Sequence, residues 1–355
     1  MEQSQKTGGM SIASDFTATA FVLFRLPHSQ HFTKLTQYHT PRAFSSLSEV
    51  PLTGGYLIHP FCVESDFPIV WIEPDIVSQE EVPIPHSLHK YAQGNDDERE
   101  VRQQYAHSFR ALHTMLCNGA LQKVVLARPL HITDIRIDDV QHLFFRACLN
   151  RPGSYIALWH TPQTGTWLVA TPEPLLEYVH HRWHTVALAG TLPYSESTPA
   201  LWNDKNREEQ AIVARFVHQK LSTIASEVTH SEVYTLPSGN IQHLCTDFSF
   251  PLSSAQQALS IMQCLHPTPA VCGLPREEAL QAILRHEPSP RQYYAGFSGP
   301  FLLQGATHLY VSLRCMHLLP TSATLYAGGG LMPESQEQDE WDETVRKMLT
   351  MKQLF

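Results

Sequence analysis

The chain has 355 residues, with 25 Lys and Arg against 34 Asp and Glu, a formal net charge of −9; hydrophobic residues make up 43% and charged residues 17%. Such a composition belongs to a folded protein with a large core and excludes a chain dominated by disorder. A net negative chain without a basic cluster argues against nucleic acid as a partner, and no run of 18 apolar residues suggests a membrane span.

The length allows two domains of about 150 residues or one large one. Cys62, Cys117, Cys148, Cys245, Cys264, Cys272 and Cys315 are odd in number and form no C-x-x-C pair. That predicts buried thiols in a reducing cytosol, not a disulfide framework or a zinc ribbon. His180, His181 and His184 are the densest histidine group, and a solvated strand end explains them.

Residues 1–75 read as strands and loops, with "FTATAFVLFRLP" and "GGYLIHPF" short, β-rich and bounded by Gly or Pro. Residues 76–97, with Pro83, Pro85 and "GNDDE", predict a linker or surface loop. Val101, Tyr105, Phe109, Leu112 and Leu116 recur at helical spacing before an Asn118-Gly119 stop. A strand is expected at "LQKVVLARPLHI" and a helix near 138–149. Strands should follow at "SYIALWH", "TWLVATP", "LLEYVH" and "WHTVALAGT". The segment 203–226 should be helical, with Val213, Val217, Leu221 and Ile224 in one stripe. Two strands, two helices ("SAQQALSIMQCL", "REEALQAILRH") and three more strands precede a last helix at 334–352. Strands in series with interspersed helices predict an α+β fold with large antiparallel sheets.

Several residues stand out chemically. Lys123 lies inside a strand, where it is either a base whose neutral form burial favours or an edge lysine in water. Glu173, in "VATPEPLLE", is fixed between two prolines and is either a placed acid or an exposed loop residue. Glu209 lies four residues before Val213 and so on the buried helical face, whereas Glu208 points away; a buried carboxylate needs a cation, a metal or a proton. Glu340, Glu343 and Lys347 share a second helical face, either solvated or facing Glu209 across a hard divalent cation such as Mg²⁺. In "THLYVSLRCMHL" the alternation puts His308, Tyr310, Ser312 and Arg314 on one face, and Arg314 could fork onto a carboxylate or lie on the surface. Gly328 to Gly330 could admit an anion to the backbone or form a plain turn.

Taken in order, "KVVLAR", "TPEPLL", "LAGT", "NREEQAIV", "LHPTPAVCGLP", "YYAG", "LYVSLR", "YAGGG" and "EWDETVRK" resemble the chorismate-utilising enzymes, and among them the isochorismate synthases. The resemblance runs from about residue 100 to the C-terminus. It implies a single chorismate-binding domain over 1–355: two large antiparallel β-sheets packed as a sandwich, helices outside, with residues 1–100 a variable part of the same domain. It implies chorismate as substrate, Mg²⁺ as cofactor, a cytoplasmic enzyme and no obligate protein partner. By matched position, Lys123 resembles the base that activates water and Glu173 the acid that protonates the departing hydroxyl. Glu209 and Glu343 resemble the metal ligands, with Glu340 beside them. Arg314, Tyr294, Lys347, Gly328 and Gly330 resemble the groups that hold the substrate carboxylates, and Gly190, Thr191 and His266 lie in the family's cleft.

The implied reaction is conversion of chorismate to isochorismate, feeding a quinone or a catechol siderophore, with menaquinone supply preferred. Relatives that make 4-amino-4-deoxychorismate can carry a nucleophilic lysine where this chain has Ala189. Salicylate synthases tend to be polar near Ala270, so Ala270-Val271 favours stopping at isochorismate. A salicylate synthase and a non-catalytic chorismate binder are the alternatives. Two departures stand out: Gln210 replaces the usual His, and "YYAGFSG" replaces a more common run.

Overall fold

The computed structural model describes residues 18–83, 98–135, 137, 139–197, 199–239 and 241–355. Numbered along the chain, the strands are β1 (Ala20–Arg25), β2 (His31–Gln37), β3 (Arg42–Phe44), β4 (Gly55–His59), β5 (Ile69–Ile72), β6 (Ile76–Glu81), β7 (Lys123–Thr133), β8 (Tyr155–Thr161), β9 (Gly165–Thr171), β10 (Pro174–Val179), β11 (Arg182–Pro193), β12 (Thr229–His230), β13 (Tyr234–Ser238), β14 (Ile241–Phe250), β15 (Gly273–Leu274), β16 (Phe297–Phe301), β17 (Thr307–Val311), β18 (Cys315–Leu319) and β19 (Ser322–Leu331). The helices are α1 (Glu98–Cys117), α2 (Val140–Asn150), α3 (Asp204–Leu221), α4 (Ala255–Leu265), α5 (Arg276–His286) and α6 (Glu337–Lys352).

The strands form two antiparallel sheets, as expected. One has nine strands in the order β15-β7-β19-β18-β9-β8-β1-β2-β6. The other has ten, in the order β12-β14-β11-β10-β17-β16-β4-β5-β3, with β13 also paired to β14. Residues before 83 contribute to both: β1, β2 and β6 to the first sheet, β3 to β5 to the second.

Alternation along the central strands explains the layering. On β8, Tyr155, Ala157 and Trp159 join the core that the second sheet shares, while Ile156 and Leu158 join a separate core on the opposite face. Trp167 and Val169 of β9 divide from Leu168 and Ala170 in the same way. Both faces of the first sheet are therefore covered, because period-two side chains alternate between them. The second core is closed by Leu143, Phe144 and Ala147 of α2 and by Met348 and Met351 of α6. Asp139 caps α2, its side chain accepting the Gln141 N–H at 2.8 Å.

One expected element is corrected. Residues 76–97 do not begin as a linker: Ile76–Glu81 is β6, paired with β2 from Thr36↔Ile76 to His31↔Glu81. Its Gln79, Glu80 and Glu81 suit an edge strand, where polar and charged side chains discourage further pairing. Residues 84–97, with Pro85 and most of "GNDDE", lie outside the described residues. Among those described, no helix is long and apolar enough to cross a membrane, and all seven cysteines are free, with only Cys117 exposed.

The packing of α2 gives a stability test. Phe144 is fully buried and meets Phe32 edge-on at 5.7 Å. Phe144→Ala should cost about 3–5 kcal/mol, read as a lowered midpoint in urea at unchanged slope.

Candidate active site

The chain passes from the first sheet to the second between β9 and β10, at Pro172-Glu173, and back between β17 and β18, at Ser312 to Arg314. The two crossings lie side by side. The Val311 N–H donates to the Glu173 carbonyl at 2.9 Å, and the Ala170 N–H donates to the Arg314 carbonyl at 3.0 Å. Glu173 and Arg314 thus share the seam between the sheets. Strand alternation places Arg314 at the end of a polar face with His308 and Tyr310. Instead β17 stops at Val311, and Arg314 takes φ +46° as the chain turns into the other sheet.

A cleft opens at this seam. It is lined by Glu173, Gly190, Thr191, Glu209, Tyr294, Arg314, Gly328, Gly330 and Lys347 among the expected residues, together with Ala189, Ala270 and Val271. Lys123 is not on its surface. The Lys123 side chain is fully buried directly behind the lining, its Nζ 3.0 Å from Glu209 Oε1. As expected, Glu208 turns away and pairs with Arg215 at 2.7 Å in solvent.

The three glycines are part of strand β19, not a turn, with Gly328↔Ala127, Gly329↔Leu126 and Gly330↔Val125 in register with β7. Their role is close approach of charged side chains. A methyl on Gly330 would lie 2.1 Å from Glu209 Oε1 and 3.0 Å from Lys123 Cε. One on Gly329 would lie 3.2 Å from Glu340 Oε2 and 3.3 Å from Glu343 Oε1, and one on Gly328 2.9 Å from the Tyr294 hydroxyl. The glycine ribbon therefore has Glu209, Glu340, Glu343 and Tyr294 packed against it.

Each of those carboxylates has its own lysine partner. Glu209 has Lys123; Glu343 has Lys347 at 2.7 Å; Glu340 Oε1 accepts from Lys205 Nζ and, at 2.7 Å, from Ser335 Oγ. Lys347 also donates to the Gly328 carbonyl at 2.9 Å. Burial acts to raise the Glu343 carboxyl, but the charge and hydrogen bond of Lys347, together with the charges of Lys205 and Arg346, outweigh it and hold the group below its ordinary range. Glu340 goes the other way, raised by burial and by Glu343 despite Lys205. Glu173, 4% exposed, has no cation in contact among the described residues; burial pushes it up to about 7 against the more distant pull of Arg314, Lys123 and Lys347. Desolvation penalises the charged form, so Glu173 is a carboxyl that can hold a proton near neutrality.

His243 escaped the sequence reading. Burial, with the charges of Arg314 and Lys347, holds its imidazole well below the ordinary range, so it is neutral. Arg314 Nη2 donates to its Nε2 at 2.9 Å, and its Nδ1 lies 2.9 Å from the Gly190 carbonyl. A guanidinium can only donate, so Nε2 accepts and Nδ1 carries the proton. Gly190, at φ +73°, makes the bulge in β11 that shifts the register between Ala189 and Thr191 and leaves Thr191 opposite His243. Nothing in "IQHLCTDFSF" singles out that histidine. Lys205 did carry a signal, since it lies four residues before Glu209 on the same helix.

His266 is not among the cleft-lining residues. Its Nε2 faces the Pro60 and Phe61 carbonyls at 3.1 and 3.2 Å, and its ring meets His59 edge-on at 4.7 Å. It ties the "HPTPA" turn to the chain after β4. Gln210, the departure on α3, points at the second sheet and donates to Thr246 Oγ1 at 2.9 Å.

Among the described residues no group of three or more His, Cys, Asp or Glu side chains could by itself hold a metal ion. The donor chemistry nevertheless fits a hard cation. Glu209 and Glu343 offer oxygen alone on neighbouring glycines of one ribbon, and Mg²⁺ commonly takes only one or two carboxylates, with water and substrate oxygens completing its shell.

The family model described as chorismate binding enzyme matches residues 71–355. The chain belongs to that family. It is 32% identical over 248 residues to isochorismate synthase EntC of Escherichia coli (strain K12), an alignment covering 66% of this chain and 62% of that protein. It is also 32% identical over 251 residues to isochorismate synthase MenF of the same organism, covering 68% and 57%. The aligned part thus spans about three fifths of these curated relatives. In structure it superposes on Escherichia coli MenF, described as a menaquinone-specific isochorismate synthase, with a TM-score of 0.80 at 20% identity, covering 98% of this chain and 92% of that one. Anthranilate synthase component I from Streptococcus pneumoniae TIGR4 gives a TM-score of 0.72 at 15% identity, over 99% and 95%. These likenesses establish the family and the fold.

Burial of Glu173 has a thermodynamic consequence. A raised carboxyl in the folded state favours folding at low pH, and that contribution is lost as pH climbs from about 4.5 through about 7. Glu173→Gln removes the ionisable group. Its melting temperature relative to the parent should therefore rise between pH 5 and pH 8; a difference independent of pH would contradict the assigned environment.

Proposed function

We propose that the chain is an isochorismate synthase, an isomerase that converts chorismate to isochorismate. The observation that carries this reading is one cleft holding a buried carboxyl poised near neutrality, Glu173, with a fully buried amine, Lys123, behind the facing glycine ribbon. A reaction that adds water at C2 of the ring and expels the C4 hydroxyl needs both an acid and a base.

In this mechanism the protonated Glu173 gives its proton to the C4 hydroxyl, which leaves as water. Lys123, as the neutral amine, takes a proton from the water whose oxygen bonds to C2. One water enters and one leaves, so the net change is an isomerisation. Arg314, its guanidinium oriented through His243, pairs with one substrate carboxylate by charge-assisted hydrogen bonds. Lys347, Tyr294 and the backbone at Gly328 and Gly330 receive the other. Glu209 and Glu343, with Glu340 alongside, would hold a Mg²⁺, which when bound supplies positive charge against the ring carboxylate. Ala189 presents no amine to the cleft, which leaves water as the nucleophile. Ala270 and Val271 give an apolar wall with no group to draw a proton for pyruvate loss. The relatives EntC and MenF, both named isochorismate synthases, support the same reading, and menaquinone formation is the pathway we favour for the product.

Chorismate incubated with the purified protein and MgCl₂ should yield isochorismate, with turnover lost in EDTA. Salicylate plus pyruvate, or no product, would overturn the assignment. Lys123→Ala should lower kcat by about 10²-fold or more while chorismate binding, followed by tryptophan fluorescence, stays within about threefold of the parent. Near-normal turnover would remove Lys123 as the base.

A further inference from the structure

The reaction just proposed leaves one buried ion pair beside the cleft without a role. Among the described residues, strand pairing on the outer edge of β7 ends with β15 at Gly273↔Val124 and Leu274↔Lys123, followed by one backbone bond from the Val125 N–H to the Cys272 carbonyl at 2.7 Å. Side chains of a single pair take over. Glu287 Oε1 accepts the Ala127 N–H at 2.7 Å, and Arg291 Nη2 donates to the Val125 carbonyl at 2.8 Å. Arg291 Nη1 donates to the Val271 carbonyl at 2.6 Å. The pair itself is bidentate, with Nη2 to Oε1 at 2.6 Å and Nε to Oε2 at 2.8 Å. Both side chains are almost wholly buried, and the guanidinium lies 4.3 Å over the Phe61 ring.

Much of what this pair touches lies at or next to the cleft. Val125 and Val271 are lining residues, Val125 is opposite Gly330, and Ala127 is opposite Gly328. The Arg291 carbonyl accepts the Tyr294 N–H at 3.0 Å, and the guanidinium lies 6.0 Å from the Tyr294 ring centroid. Lys123 is two residues upstream of Val125 on the same strand.

We propose that Glu287 and Arg291 are positioning residues of the cleft. Together they fix the spacing between the strand that carries Lys123, the Ala270-Val271 wall and Tyr294. A guanidinium can span carbonyls on two separate segments while forking onto a carboxylate; a lysine ammonium presents its donors from one point and cannot. Misplacement of reacting groups by about 1 Å can cost about 10²-fold in rate.

The test uses Arg291→Lys and Glu287→Gln in the full chain. The glutamine keeps an acceptor for the Ala127 N–H and loses the charge. The kinetic arm rests on the isochorismate synthase reading, so the parent is assayed first. A parent that binds chorismate without turning it over overturns that reading but leaves the affinity arm to decide the clamp. For Arg291→Lys we expect a cooperative melt, kcat reduced about tenfold or more, and a chorismate dissociation constant from tryptophan fluorescence raised about threefold. Glu287→Gln should fall between parent and Arg291→Lys. Folded variants with kcat and affinity both within twofold of the parent would overturn the proposal. So would a lowered melting temperature with neither quantity changed, because a purely structural pair predicts that. If Arg291→Lys does not fold, Glu287→Gln is judged alone by the same criteria.

Discussion

The site depends on charge held away from water. A carboxylate inside a protein must find a cation or take a proton, because desolvation penalises its charged form. Both outcomes occur at one cleft, Glu173 lining it and Glu343 beside it through Lys347. Glu343 has Lys347 in contact and is held ionised. Glu173 has cations near but none touching it, and burial raises it to about 7. Two chemically identical side chains are thus pushed toward opposite protonation states by their surroundings.

The fold creates this difference through two local devices. The first is the seam where the chain crosses between sheets at Glu173 and again at Arg314, the crossings locked by reciprocal backbone hydrogen bonds. Neither residue belongs to a strand there, so each can aim into the space between the sheets. The second is the ribbon Gly328–Gly330 inside β19. Any side chain on Gly330 would displace the Lys123–Glu209 pair, and one on Gly329 would press on Glu340 and Glu343. Glycine in a strand interior ordinarily weakens it. Here the glycines stay in register with β7 on one side, beyond the point where pairing with β18 ends at Tyr326, and the missing side chains provide the space for the acidic residues.

Much of this was legible in the sequence. Helical spacing put Glu209 on the buried face of α3 and Glu343 with Lys347 on one face of α6, and the run of motifs supplied the family. What failed to show was anything set by long-range packing. Alternation placed Arg314 on the face of His308 and Tyr310, because nothing local marks the point where the chain leaves one sheet for the other. His243 is an unremarkable strand histidine until Arg314, 71 residues away, donates to it. His266 sits in the most specific motif, yet its ring binds backbone carbonyls from the N-terminal part of the chain, where no motif was found. Ile76–Glu81, polar and near prolines, resembles a loop and becomes a strand because β2 offers an edge.

The most direct measurement of this account is an infrared pH titration of the protonated carboxyl stretch of Glu173, assigned by difference against Glu173→Gln in the metal-free protein. The expected result is a band that disappears with a midpoint near pH 7. A midpoint near the ordinary glutamate value of about 4.3 would show that Glu173 is hydrated or paired, and would contradict its role as the acid of the cleft.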